Sequence, residues 1–127
     1  MSQPLQVTAF HVSTVYVNSG HVKKALAEQI PERLLLTPRV PATFADPFEP
    51  LKAWLQNINE FSQIQPEQGA DWIQIRFYFQ TQPFCLHYEH YSDCYWIDAD
   101  SQASLVLLSQ LAGFIASIEH NHRLSQP

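Results

Sequence analysis

Two spacings of apolar residues organise this chain, one of two and one of three to four. The period of two runs through Asp71 to Ala99, in Ile73, Ile75, Phe77 and Phe79, then Phe84, Leu86 and Tyr88, then Tyr95, Ile97 and Ala99. Successive side chains of a strand point to opposite sides of a sheet, so these runs predict three antiparallel strands joined by two turns. With Thr81-Gln82 as the first loop, Phe79 faces Phe84, Phe77 faces Leu86, Ile75 faces Tyr88 and Ile73 faces His90. With Ser92-Asp93 as the second, His90 faces Tyr95, Tyr88 faces Ile97 and Leu86 faces Ala99. Both registers gather the apolar residues on one side.

The longer period marks helices. Leu51, Trp54, Leu55, Ile58 and Phe61 form one stripe of a helix from Pro47 or Pro50 to Ile64, with Asp46 and Glu49 at capping-box spacing. A loop at Pro66 to Gly69 follows. Leu105, Leu108, Leu111, Ala112, Ile115 and Ile118, widened by Leu107 and Phe114, form the stripe of a helix from Ser101 to Glu119, capped by Asp100 or Ser101. Gly113 lowers its stability by about 1 kcal/mol relative to Ala unless a close neighbour needs the space. The tail from His120 to Pro127 is expected to fray.

The first third of the chain is less regular. Leu5 to Val17, dense in Val, Thr, Phe and Tyr and closed by Asn18-Ser19-Gly20, predicts a strand at the sheet edge. Ser19 can cap a short helix from His21 to Gln29, which Pro31 would stop. Pro31, Pro38, Pro41, Pro47 and Pro50 then fall within twenty residues. Each fixes φ and removes a backbone donor, so residues 31 to 50 predict an irregular arm with at most a short edge strand at Leu34 to Leu36 and no central strand. The expected whole is one α+β domain over residues 1–127. It is a two-layer sandwich in which a three-stranded antiparallel meander plus the N-terminal strand carries the helices on one face.

Composition narrows the functional classes. The chain has 127 residues, 46% hydrophobic, 13% aromatic and only 15% charged, enough for one core with some apolar area left outside. Twelve acids against seven Lys and Arg give a net charge of −5. That acidity argues against nucleic acid or an anionic membrane as partner. Residues 1–10 lack the charge and apolar run of a signal peptide, and nothing reads as a spanning segment, which leaves the cytoplasm as the expected location. Cys85 and Cys94 are then expected as free thiols.

Burying one side of the sheet defines the other: Trp72, Gln74, Arg76 and Tyr78, then Cys85, His87, Glu89 and Tyr91, then Cys94, Trp96 and Asp98. In the register above, His87 sits between Arg76 and Asp98, and Glu89 between Gln74 and Trp96. Tyr, Trp and Arg are the types enriched at interface centres, so Trp72, Arg76, Tyr78, His87, Glu89, Tyr91 and Trp96 are the expected binding residues. Their partner is expected to be another protein or a second copy in a dimer, with coverage by the proline arm as the plain alternative. A rival reading makes His87, oriented by Asp98, the acid or base of a small-ligand site or enzyme.

The motif inventory supports no cofactor. Gly20, Gly69 and Gly113 are isolated, so no phosphate-cradling loop can form, and no GxSxG, HExxH, EF-hand or CxxC pattern occurs. His87 and His90, three apart on a strand, point to opposite sides and cannot share a metal ion. Cys85, facing Asp100, and Cys94, facing Tyr91, lie too far apart to bridge. His120 and His122 suit the negative end of a helix. The expectation is a non-enzymatic module without metal or cofactor.

Overall fold

A computed structural model describes residues 10–17, 30–38 and 47–124. The predicted helix at His21 to Gln29, the Asp46 cap and residues 39–46 of the proline arm lie outside the described residues. The rest forms an α+β fold with six strands and two helices: β1 (Phe10–Val17), β2 (Ile30–Pro38), α1 (Phe48–Gln56), β3 (Phe61–Gln68), β4 (Trp72–Phe79), β5 (Gln82–Glu89), β6 (Cys94–Ala99) and α2 (Gln102–Leu124). The strands make one antiparallel sheet in the order β1-β2-β6-β5-β4-β3. The predicted three-stranded meander is thus part of a longer one from β3 to β6, and β1 joins the sheet through β2.

The expectation that the prolines exclude a central strand is overturned. β2 lies between β1 and β6, with Leu34 and Leu36 buried opposite Ile97 and Tyr95. Only Arg33 to Leu36 pairs on both sides, and Pro31 and Pro38 flank that stretch, where a missing donor leaves the β6 ladder intact. β1 takes the edge position expected of the N-terminal strand.

The α1 helix is shorter than its apolar stripe predicts. It ends at Gln56, and the chain turns through Asn57 and Asn59, poor helix formers, into β3. Ile58 and Phe61 leave the helix yet stay buried with Leu51, Trp54 and Leu55, because turn bonds from Ile58 N to Leu55 O and Phe61 N to Ile58 O keep the chain close to the core. Pro47 caps α1 without a side-chain bond. β3 replaces both the predicted last helical turn and the Pro66 loop. Its FSQIQPEQ sequence buries one residue, Phe61, and lies at the second edge, where Pro66 is tolerated.

The β4, β5 and β6 strands alternate as the period of two requires, but both turns close at different places. Gln80 and Thr81 form the first, with φ of 51° and 63° and Phe79 opposite Gln82. Paired positive φ values give a hairpin the twist of its strands. A Thr81-Gln82 loop would have required a turn-closing amide from Pro83, which has none. The second turn spans His90 to Asp93, with Glu89 opposite Cys94. The His90 amide donates 2.9 Å to Asp71 O at the β3–β4 turn and is unavailable to pair with Tyr95. Each cross-strand partner therefore moves by two residues, and each side chain keeps its side.

Both helices pack on the apolar side. The α2 helix opens with Ser101 Oγ accepting the Ser104 amide at 3.0 Å, the expected cap, and the buried Ser104 hydroxyl donates to Pro83 O. Leu108, Leu111 and Ile115 reach the sheet, and Phe114 meets Phe79 at 5.2 Å. Nothing lies within 4 Å of a Cβ at Gly113, so no packing compensates its flexibility. By length and mean hydropathy, 1.3 over Gln102–Glu119, this helix suffices to cross a membrane, which corrects the expectation that no segment does. Its buried stripe is that of a sheet-covering helix, while Val106 on the far side is exposed.

Candidate functional site

The outer side of the sheet is built by the same alternation that fills the core. β4 supplies Trp72, Gln74, Arg76 and Tyr78, β5 supplies Cys85, His87 and Glu89, β6 supplies Cys94, Trp96 and Asp98, and β2 adds Arg33 and Leu35. Across the middle runs the row Leu35, Trp96, His87, Gln74 and Glu67, and beside it Arg33, Asp98, Cys85, Arg76 and Gln65. His87 therefore lies between Gln74 and Trp96, not between Arg76 and Asp98, and Glu89 lies between Trp72 and Cys94. Tyr91 is off this surface altogether, in the β5–β6 turn and 82% exposed.

The expected His87–Asp98 pairing survives as a diagonal contact. His87 Nε2 lies 3.0 Å from Asp98 Oδ2, and Trp96 Nε1 donates to the same oxygen at 3.3 Å. The His87 and Trp96 rings stack with centroids 5.0 Å apart and planes 10° from parallel. The imidazole is thus held by a carboxylate at its edge and an indole on its face, an arrangement that favours the cation. Burial alone would oppose the charge. The bond to Asp98 and the negative field of that carboxylate, with the Cys85 sulfur alongside, outweigh it and push His87 up to about 9. Burial also works against ionised Asp98, but the bonds from His87 and Trp96 and the nearby Arg33 hold its carboxyl below the usual range.

The flanking groups differ in how firmly they are placed. Arg76 Nε lies 4.0 Å from Asp100 Oδ2 with both side chains well exposed, a screened pair of little energetic weight. Trp72 is set by the backbone: a Cβ on Gly69 would come within 2.3 Å of its Nε1, so the indole lies where only glycine leaves room. Leu35 and Trp72 are each 38% exposed on this side. A depression of about 150 Å³ between β3 and β4, lined by Gln65, Pro66, Glu67, Gln74 and Arg76, is smaller than the usual small-molecule cleft.

Cys85 and Cys94 are free thiols, Cys85 buried opposite Asp98 and Cys94 opposite Glu89. Among the described residues no three His, Cys, Asp or Glu side chains group as metal ligands. The sequence reading missed Arg33 and Leu35 because their strand was assigned to the proline arm, although the Leu34-Leu35-Leu36 run signals a strand with one apolar residue turned outward.

The chain belongs to the DUF3630 family, proteins of unknown function, which it matches over residues 26–118, from β2 well into α2. No curated protein and no solved structure matches it.

Proposed function

We propose that this protein is a non-enzymatic binding module that associates with a second copy of itself through the outer side of its sheet. The observation that carries this reading is the ordered polar-aromatic cluster at mid-sheet: Trp96 stacked on His87, both bonded to Asp98, with Leu35 and Trp72 partly exposed around them. Rigid aromatic groups flanked by Arg lose little side-chain entropy on contact, which is why such residues dominate interface centres.

A second copy is the favoured occupant because the surface carries balanced charge in an acidic chain. Arg33, Arg76 and protonated His87 oppose Glu67, Glu89 and Asp98, whereas the whole chain carries −5 with His neutral. Two such surfaces can meet about a twofold axis without net repulsion.

The test is sedimentation equilibrium of the full chain beside Leu35→Glu and Leu35→Glu/Trp96→Ala, with thermal melts to confirm folding. Association that weakens at least tenfold in folded variants supports the reading. A monomeric wild type in which Leu35→Glu lowers the melting temperature contradicts it, pointing to coverage from within the same chain.

A further inference from the structure

The two edges of the sheet are defended very differently. β3 carries Pro66, the exposed charge of Glu67, a register shift between Ser62 and Gln65, and a positive φ of 52° at Gln63. Prolines, charges and bulges of this kind stop a sheet edge from recruiting another strand. β1, FHVSTVYV, carries no proline, no Lys or Arg and no acid, and its one register shift, between Val15 and Tyr16, leaves Phe10 to Val15 a regular stretch. All eight of its residues pair with β2, and among the described residues no strand pairs with its other side.

We propose that β1 pairs antiparallel with β1 of a second copy, joining two six-stranded sheets into one of twelve. Self-pairing suits this strand in particular. A twofold normal to the sheet keeps inner residues inner and outer residues outer, so the helices of both copies stay on one side. With that axis at Ser13, Val12 lies opposite Thr14 of the other copy and His11 opposite Val15, all ahead of the register shift, and no like-charged Lys, Arg or acid pair arises. The inference does not rest on the outer-surface reading. That contact uses a different axis, a twofold lying in the plane of the sheet.

The test uses the full chain in the Leu35→Glu/Trp96→Ala background, which isolates the edge. Ser13 is exposed, so Ser13→Lys and Ser13→Glu place like charges at the proposed axis without touching the core. The background chain is expected to sediment as a dimer, each Ser13 variant as a species of half that mass, and their equimolar mixture as a restored heterodimer. A monomeric background chain overturns the proposal while leaving the outer-surface reading standing if the wild type is dimeric. Ser13 variants that remain dimers with no preference for mixing overturn it as well. So does a monomer whose outward β1 amides resist hydrogen exchange, the edge then being filled from within the chain.

Discussion

The two sides of β4, β5 and β6 take alternate residues from the same runs, yet they are held by different forces. On the inner side Ile75, Phe77, Phe84, Leu86 and Ile97 are fully buried, and rings such as Phe61 and Phe77, 4.6 Å apart, fill the space beneath the helices. On the outer side the order comes from directional contacts: a carboxylate shared by an imidazole and an indole, a ring stack, and an indole seated over Gly69. The inner side is specified by volume and shape, the outer side by which polar groups meet. Mutations should therefore separate stability from association.

The largest effect belongs inside. Phe77→Ala removes a fully buried ring packed between Phe61 and Phe84, and is expected to lower unfolding free energy by about 3–5 kcal/mol in urea titrations. A loss below about 1 kcal/mol would mean that the inner side is not a packed core.

A smaller effect follows from pH. The folded protein binds the His87 proton more tightly than the unfolded chain, with a pKa near 9 against the ordinary 6.5. The stabilisation is complete below about pH 6.5 and is lost as pH rises through 9. Because Asp98 is 42% exposed, solvent screening trims it to about 1–2 kcal/mol. The expected result is a decline in stability between pH 6.5 and 9 that flattens in His87→Gln. The same pair weakens on the acid side, as Asp98 protonates below the ordinary carboxylate range.

The smallest effect on stability belongs to Trp96→Ala, at under about 1 kcal/mol for a half-buried outer residue, with association lost instead. A loss matching that of Phe77→Ala would erase the distinction between the two sides.

The sequence made this distinction legible even where its register was wrong. Placing the first turn one residue late and reading two residues for four in the second moved every partner by two, and a shift of two returns each side chain to its own side. So Trp72, Arg76, Tyr78, His87, Glu89 and Trp96 share one surface as the alternation implied, while the neighbours of His87 and the place of Tyr91 did not follow. Pro83 carried the missing information for the first turn. For the second it lay in the His90–Asp71 bond, a tertiary contact that local pattern does not encode. β2 and β3 were obscured for a related reason. Their prolines speak against a strand until it is known which stretch bonds on both sides, and that depends on partners distant in the chain.

The central claim is that the outer side of the sheet meets a second copy. The most direct measurement is an isotope-filtered nuclear Overhauser experiment on an equimolar mixture of labelled and unlabelled chains. Contacts between copies are expected from the Leu35 methyls and the Trp96 and Tyr78 rings. Intermolecular contacts confined to the solvent side of α2, around Val106, or absent altogether, would contradict it.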